Sequence, residues 1–135
     1  MRWLLLSLLL FCSTAFADTV KVVFHLDEAD RQTAKTIRQI NNQLNVDPTT
    51  KITIVASGNG LEIFEKGYTN AKGEEYAPQL AELKKRGVVF EACTYSMGVR
   101  GINKEQMLEN ISYVPSGSGR ISELQFKEHY VYFKP

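Results

Sequence analysis

The chain has 135 residues, of which 44% are hydrophobic, and its 16 lysines and arginines nearly balance 15 aspartates and glutamates. This composition is too apolar and too weakly charged for an intrinsically disordered protein, and it indicates a single soluble globular domain. Two cysteines are too few for a disulfide-stapled scaffold or for a zinc site built from cysteines alone.

Residues 1–17 have the pattern of a secretory signal peptide. Arg2 supplies a positive charge, an apolar run extends from Trp3 to Phe11, and Ala15-Phe16-Ala17 places small residues before a cleavage site. We therefore predict cleavage after this segment, a mature domain of residues 18–135, and secretion into the periplasm. The alternative is an uncleaved anchor, although the apolar run is shorter than the about 20 residues that span a bilayer.

The predicted mature chain carries equal numbers of acidic and basic side chains, because Arg2 is the only charged residue of the signal segment. A neutral chain without a basic run has no counterion release to drive nucleic-acid binding. No later segment is long and apolar enough to cross a bilayer. We expect neither a nucleic-acid partner nor membrane association after cleavage. Cys12 lies in the signal segment, so Cys93 would be the only thiol in an oxidising compartment.

Short β-rich apolar runs alternate with helical periodicity along the rest of the chain. Strands are predicted over 20–26, 52–56, 88–92, 112–114 and 130–133, and helices over 28–45, 61–66, 74–85, 103–110 and 118–127. This alternation, with nearly continuous apolar strands, is typical of a parallel sheet covered by helices on both faces. We predict an α/β three-layer sandwich with a mostly parallel five-stranded sheet and right-handed crossovers.

Polar or glycine-rich segments come at the ends of the first four predicted strands. In chain order they are His25 with Asp27, Ser57-Gly58-Asn59-Gly60, Cys93-Thr94-Tyr95-Ser96, and Pro115-Ser116-Gly117. Ligands of open parallel sheets bind beyond the carboxyl ends of the strands. We therefore expect these four segments to converge at one edge of the sheet and to form the ligand site.

Cys93 is the candidate nucleophile. A thiol at the end of a strand can face a helix N-terminus, where the dipole and free amides lower its pKa and favour the reactive thiolate. His25 could activate this thiol as a base or bind an anion. The alternatives are that Cys93 fills space in the core and that His25 is a core histidine with satisfied hydrogen bonds. No second histidine lies near His25 in the sequence, so no metal site is predicted.

The glycine-rich segments allow two interpretations. The amides of Gly58-Asn59-Gly60 and of Ser116-Gly117 could bind an anion, with Arg100 and Arg120 supplying charge. Equally, the first segment could be a tight turn and the second a helix cap. Neither has the spacing of a phosphate-binding loop or a dinucleotide fingerprint, and no cofactor is predicted.

The ordered set VVFHL, VASGNGLEIF, KRGVVFEAC, YVPSG and YVYFKP resembles the DsrE/DsrF-like family, in a branch of small single-domain proteins that often carry signal peptides. The resemblance covers residues 20–135. It implies a flavodoxin-like sandwich, assembly into a homotrimer or homohexamer, and sulfur relay through a cysteine persulfide. Cys93 matches the cysteine position of the branch, whereas Tyr95 stands where the branch often has asparagine.

These observations predict a secreted DsrE-like protein that binds a small sulfur-containing or anionic ligand, or carries persulfide sulfur, through Cys93. The predicted catalytic residues are Cys93 and His25, and the predicted ligand-binding residues are Ser57, Gly58, Asn59, Gly60, Thr94, Tyr95, Ser116 and Gly117. Turnover as a sulfurtransferase is a further possibility. The alternative from another class is a non-catalytic ligand-binding or assembly module in which Cys93 is structural.

Overall fold

Five strands and four α-helices alternate along residues 18–135, the part of the chain that the computed structural model describes. The predicted signal peptide, residues 1–17, lies outside the described residues. The strands are β1 (Lys21–Glu28), β2 (Lys51–Asn59), β3 (Val89–Cys93), β4 (Ser112–Val114) and β5 (Val131–Phe133). The helices are α1 (Ala29–Val46), α2 (Ala77–Lys85), α3 (Thr94–Arg100) and α4 (Gly117–Glu128), with short 3-10 helices at Gly60–Phe64 and Lys104–Gln106.

The strands form one sheet in the order β4-β3-β2-β1-β5, and every neighbouring pair is parallel. The register places Phe24 of β1 beside Ile54 of β2 and Phe133 of β5, and Ile54 beside Phe90 of β3. The α/β fold with a parallel five-stranded sheet is therefore confirmed.

The two faces of the sheet are covered unequally. The main hydrophobic core joins Phe24 and Ile54 to Ile40 of α1 and Leu80 of α2. On the opposite face, a small cluster has four buried members. Val23 and Val55 come from the sheet, and Ile121 and Leu124 come from α4. Side chains alternate along a strand, so the residues two positions after Val23 and Val55 also face α4. These residues are polar, and they belong to the candidate site.

The helices that follow β3 and β4 pack on opposite faces of the sheet. Helix α3 follows β3 and sends Met97 into the core on the α1 side, whereas α4 follows β4 and packs on the other face. Helices that leave neighbouring strands toward opposite faces open a crevice between the carboxyl ends of those strands. In this fold the crevice lies between Cys93 of β3 and Val114 of β4, which are register partners.

Three helix predictions differ from the structure. Helix α3 was not predicted, since its seven residues include Gly98 and are too short for clear periodicity. The predicted helix over 103–110 is reduced to Lys104–Gln106, although the capping box of Asn103 and Gln106 is present; the next residue, Met107, is extended and buried in the core. Helix α2 begins at Ala77 rather than at residue 74, and Pro78 lies in its first turn. Within residues 18–135, no helix has the length and apolar character needed to cross a membrane.

Candidate functional site

Cys93 lies at the centre of the site. It is the last residue of β3 and the N-cap of α3, and its thiol forms no disulfide. The residue is only 4% exposed. It is the register partner of Val114 at the end of β4, and α3 begins directly after it while α4 begins at Gly117.

Burial by itself would raise the pKa of the Cys93 thiol, yet the net effect of its surroundings is to lower it. The lowering comes from hydrogen bonds donated by the hydroxyl and amide of Ser96 and by the amides of Gly117 and Tyr95. These donors belong to the first turns of α3 and α4, so two helix starts stabilise the thiolate together. A structural cysteine in an aliphatic core would show the opposite shift, because burial alone would act on it.

His25 and Ser57 form a polar chain across β1 and β2. The Nε2 atom of His25 lies 3.0 Å from Oγ of Ser57, and its Nδ1 atom lies 3.1 Å from Oη of Tyr132 in β5. Burial lowers the pKa of His25, the nearby charge of Asp27 raises it, and that of Lys134 lowers it, with a net decrease. The imidazole is therefore neutral at pH 7 and can exchange protons with either hydroxyl.

Ser57 connects this chain to the cysteine. Ala56 pairs with Ala92 in the register, so the next residues, Ser57 and Cys93, lie side by side on the α4 face. Both ring nitrogens of His25 have hydroxyl partners, which means that His25 reaches the neighbourhood of the thiol through Ser57 rather than by direct contact.

Ser116 and Gly117 close the site from above. The Oγ atom of Ser116 caps α4 by accepting a hydrogen bond of 3.1 Å from the amide of Gly119. Gly117, the first residue of α4, is buried against Ser57 and Cys93. The cap interpretation therefore holds for the Ser116 hydroxyl, while the Gly117 amide contributes to the lowered pKa of the Cys93 thiol.

The Gly58-Asn59-Gly60 segment has a conformational and packing role. Gly58 adopts a left-handed conformation with φ of 52°, which glycine tolerates best. A Cβ atom on Gly60 would overlap the carbonyl group of Leu26, so only glycine fits there. Asn59 is the exposed last residue of β2. Gly58 and Asn59 belong to β2 and Gly60 begins the following 3-10 helix, so the segment is the end of a strand rather than a tight turn, and conformation and packing explain the two glycines.

Thr94 and Tyr95 flank Cys93 at the start of α3. The Oγ1 atom of Thr94 donates to the carbonyl oxygen of Val114 at 3.3 Å, which ties α3 to the end of β4. The Tyr95 side chain is 74% exposed. Its backbone amide is one of the groups that lower the pKa of the Cys93 thiol.

The two arginines considered as ligand-binding charges are both engaged in ion pairs. Arg100 lies 2.8 Å from Glu62 and donates to the carbonyl oxygen of Gly58 at 2.9 Å. Arg120 lies 3.0 Å from Glu91, with further carboxylates of α4 on its other nitrogen. Their charges are compensated within the chain. Among residues 18–135, no group of three or more His, Cys, Asp or Glu side chains is arranged to hold a metal ion.

Two residues of the site, Ser96 and Tyr132, are not among the predicted catalytic and ligand-binding residues, although Ser96 belongs to one of the four segments expected at this edge. Ser96 lies at the third position of α3, where a hydroxyl can turn back to the N-cap residue, and recognition of this short helix would have identified it. Tyr132 reaches His25 because β5 pairs with β1. That pairing depends on strand order, for which the sequence carries no local signal.

Comparison with known proteins identifies the family. The model of the DsrE/DsrF-like family matches residues 14–133. The chain belongs to this family. The solved structure of a protein of unknown function, MTH1491 from Methanobacterium thermoautotrophicum, is similar with a TM-score of 0.76 and 29% identity, covering 86% of this chain and 99% of that one. No curated protein matches the chain.

A second solved structure shares the architecture. The ychN protein from E. coli superposes with a TM-score of 0.65, covering 87% of this chain and 100% of that one, at 10% sequence identity. This identity supports likeness of fold alone. The DsrE fold is flavodoxin-like, so the structural expectation from the sequence resemblance is confirmed, and family membership suggests a sulfur-related role.

Proposed function

We propose that this DsrE-like protein is a secreted, periplasmic sulfur handler that accepts and carries a sulfane sulfur on Cys93. The feature that supports this most is the position of Cys93 at the N-cap of α3, with Gly117, the first residue of α4, packed on it, and these surroundings lower the pKa of its thiol. The amides of two helices stabilise a thiolate at the switch point of a parallel sheet. A thiolate is the form that attacks a sulfur donor.

The transfer step requires a donor persulfide of the class R–S–SH. The Cys93 thiolate attacks the outer sulfur of the donor, a new S–S bond forms, and the donor S–S bond breaks. The donor leaves as the thiolate R–S⁻, and the proton stays on the transferred sulfur. No oxidant is consumed, because one S–S bond replaces another. Return of the sulfur to an acceptor thiolate is the same step in reverse.

Ser57 and His25 have a role in proton transfer in this proposal. His25 is neutral and linked to Ser57, so it can accept the proton of the Cys93 thiol through the serine hydroxyl when the attacking thiolate forms. In this proposal His25 acts through Ser57, while the amides of Gly117 and Tyr95 hold the negative charge of Cys93. We propose the same amides as the binding groups for a small anionic sulfur compound.

A second function is favoured by one observation, the 4% exposure of Cys93. A thiol so well covered suits a non-catalytic ligand-binding or assembly module in which the cysteine fills the space beneath Gly117. The two functions differ in the rate at which the folded protein reacts with a small electrophile. A carrier thiol reacts in the native state, whereas a structural thiol reacts only when the protein unfolds.

Alkylation of the full-length product by iodoacetamide tests this distinction. The carrier function predicts labelling of Cys93 in the folded protein, with a pH midpoint below the ordinary thiol pKa of about 8.5. Treatment with cysteine persulfide should add the mass of one sulfur atom, and Cys93→Ser should abolish this adduct. Peptide mapping separates Cys93 from Cys12 if the N-terminal segment is retained. Labelling that becomes fast only in denaturant would contradict the carrier function.

Turnover and location need separate measurements. A sulfurtransferase would produce thiocyanate from cyanide and a persulfide donor, and Cys93→Ser should remove that activity. N-terminal sequencing of the protein recovered from its host should begin at Asp18 if the segment before it is a cleaved signal peptide. The family resemblance further suggests assembly into a homotrimer or homohexamer.

A further inference from the structure

A row of four side chains that can exchange protons crosses the sheet on the α4 face. Its members come from strands that are consecutive in the sheet order: Cys93 of β3, Ser57 of β2, His25 of β1 and Tyr132 of β5. The imidazole of His25 joins the hydroxyls on its two sides, at 3.0 Å from Ser57 and 3.1 Å from Tyr132. Cys93 and Ser57 both lie next to Gly117, which places the thiol at the inner end of the row.

The two ends of this row differ in their access to solvent. Cys93 is only 4% exposed, whereas the outer residue, Tyr132, is 38% exposed. Tyr132 and His25 form one wall of an open cleft of about 270 Å³, and the other wall is α4, with Ser118, Ile121, Ser122 and Gln125. Within residues 18–135 the Tyr132 hydroxyl bonds only to His25, so solvent in the cleft is its remaining partner. A proton from the covered thiol can therefore reach water at the outer end of the row.

The hydroxyl of Tyr132 allows both neutral forms of His25. A neutral imidazole has one protonated nitrogen, which donates a hydrogen bond, and one unprotonated nitrogen, which accepts one. With the proton on Nδ1, His25 donates to Tyr132 and accepts from Ser57; with the proton on Nε2, both directions are reversed. A hydroxyl suits either direction, because it both donates and accepts. A carboxylate or a backbone carbonyl in the place of Tyr132 would only accept and would hold His25 in one tautomer.

The charged groups around the row keep their charges while the thiol titrates. Asp27 and Lys134, which form an ion pair, act on His25. Burial raises the pKa of Asp27, but the hydrogen bond and charge of Lys134 outweigh burial and the net pKa is lowered, and the same hydrogen bond raises the pKa of Lys134. Next to the thiol, Glu91 of β3 is paired with Arg120 of α4. The lining of the cleft adds no charged side chain from residues 18–135. A change in the tautomer of His25 at neutral or mildly alkaline pH would therefore report on the thiol.

We propose that Tyr132 is a positioning residue that allows His25 to change tautomer, so that the proton of the Cys93 thiol leaves the protein along this row. The thiol proton passes to Oγ of Ser57, whose own proton passes to Nε2 of His25. The Nδ1 proton of His25 passes to Oη of Tyr132, and the phenolic proton passes to water in the cleft. The row then holds a thiolate and a neutral imidazole protonated on Nε2, and one proton is in the solvent. The inference rests on the proposed function for the ionisation of Cys93 through Ser57.

NMR of the ¹⁵N-labelled full-length product tests this coupling. The chain has two histidines, and correlation of ring protons with ring nitrogens shows which nitrogen of each is protonated. In the wild type, His25 should carry its proton on Nδ1 while Cys93 is a thiol and on Nε2 once Cys93 is a thiolate. Because the two groups are coupled, the midpoint of this change should equal the pH midpoint of Cys93 alkylation. His129, which is exposed, serves as the internal reference and should show no change at that midpoint.

Tyr132→Phe keeps the aromatic ring and removes the hydroxyl that bonds to Nδ1, so the tautomer of His25 should no longer change at the Cys93 midpoint. Ser57→Ala breaks the row on the other side of the imidazole and should have the same effect, as should Cys93→Ser, which removes the titrating group. Tyr130→Phe is the matched control, because Tyr130 packs against the small cluster beneath α4 and does not bond to His25. It should behave like the wild type.

A single tautomer of His25 throughout the titration of the wild type would overturn this inference, as would a coupled change that persists in Tyr132→Phe. The NMR measurement uses no sulfur donor, so its outcome is separate from that of persulfide loading. A coupled wild type that accepts no sulfur from cysteine persulfide would contradict the proposed function and support the proton path. A wild type that accepts sulfur while His25 stays in one tautomer would do the reverse.

Discussion

Gly117 is packed so closely against Cys93 that a Cβ atom on the glycine would lie 3.5 Å from the Cβ atom of the cysteine. The same atom would lie 3.2 Å from the Cβ atom of Ser57. The absence of a side chain at the first position of α4 therefore allows the helix to begin directly above the thiol. The backbone of Gly117 is not in a left-handed conformation, so proximity rather than dihedral freedom explains the glycine.

Gly117→Ala should slow alkylation of Cys93 in the native protein. The added methyl group occupies space between the start of α4 and the thiol, while the higher helix propensity of alanine, about 1 kcal/mol, offsets part of the crowding. We expect the free energy of unfolding to change by less than about 1 kcal/mol. Rate constants for iodoacetamide labelling measure the effect, with Gly98→Ala as the control that should react like the wild type. An unchanged rate would show that reagents approach the thiol from another direction.

Ser96→Ala should raise the pKa of Cys93. The Ser96 hydroxyl is the largest contributor among the hydrogen bonds that lower this pKa, and its removal leaves burial less opposed. The midpoint of the pH–rate profile for alkylation should therefore move to higher pH. Ser118→Ala serves as the control, because the Ser118 hydroxyl contacts Ser116 at 3.2 Å and is not among the donors to the thiol. Equal midpoints in the two variants would show that the backbone amides alone lower the pKa of Cys93.

The strands of the sheet could be predicted because each one is indicated by the apolar and β-branched residues of its own segment. Residues 52–56 are apolar and β-branched enough to be recognised without neighbours, and the end of the third strand at Cys93 followed from the same pattern. The expected convergence of Ser57, Cys93 and Gly117 also rested on topology, since parallel strands end at one edge. The sequence therefore predicted which segments meet.

The contacts between individual side chains depended on features with no local signal. The hydrogen bond between His25 and Tyr132 exists because α4 crosses one face of the sheet and the last strand, β5, then pairs with β1. Arg120 was considered for an anionic ligand, but Glu91 lies on the strand beneath it and neutralises it. In both cases the partner is distant in sequence, and only the strand order brings it near.

Gly60→Ala should destabilise the fold strongly. A Cβ atom there would overlap the carbonyl group of Leu26 and lie 2.8 Å from the amide nitrogen of Asp27, and both are backbone groups that cannot rotate away. We expect a loss of about 3 kcal/mol in the free energy of unfolding, at the upper end of overpacking effects. Gly98→Ala, with open space around the new methyl group and ordinary helical φ, should instead gain about 0.5 kcal/mol. Urea denaturation of both variants measures the difference, and equal stabilities would contradict the packing role.

His25 should make the fold sensitive to mild acid. Burial lowers its pKa in the folded state below the ordinary value of 6.5, so the unfolded chain binds a proton that the folded chain resists. The free energy of unfolding should therefore decrease as the pH falls from 6.5 toward the folded-state pKa, and His25 should contribute no pH dependence above that range. His25→Gln keeps a polar group without titration and should show a flatter profile in this window. Parallel profiles for the two proteins would contradict the assignment.

Loss of Arg120 alone should destabilise the protein more than loss of both Arg120 and Glu91, which form an ion pair. The Glu91 side chain is 8% exposed, and Arg120 reaches it at 3.0 Å from α4 while also contacting Glu123 and Glu128. Arg120→Met would leave the Glu91 carboxylate buried without a counterion, at a cost of about 3 kcal/mol. The double variant Arg120→Met with Glu91→Met removes the buried charge and should recover most of that loss, because burial of an ion pair itself costs desolvation energy.

Chemical denaturation of the wild type, both single variants and the double variant forms a complete cycle. Lys127→Met provides the surface control, since its pair with Glu123 is exposed and should contribute less than about 1 kcal/mol. Additive effects in the cycle would show that Arg120 and Glu91 do not stabilise each other and that Arg120 acts on the outer carboxylates alone.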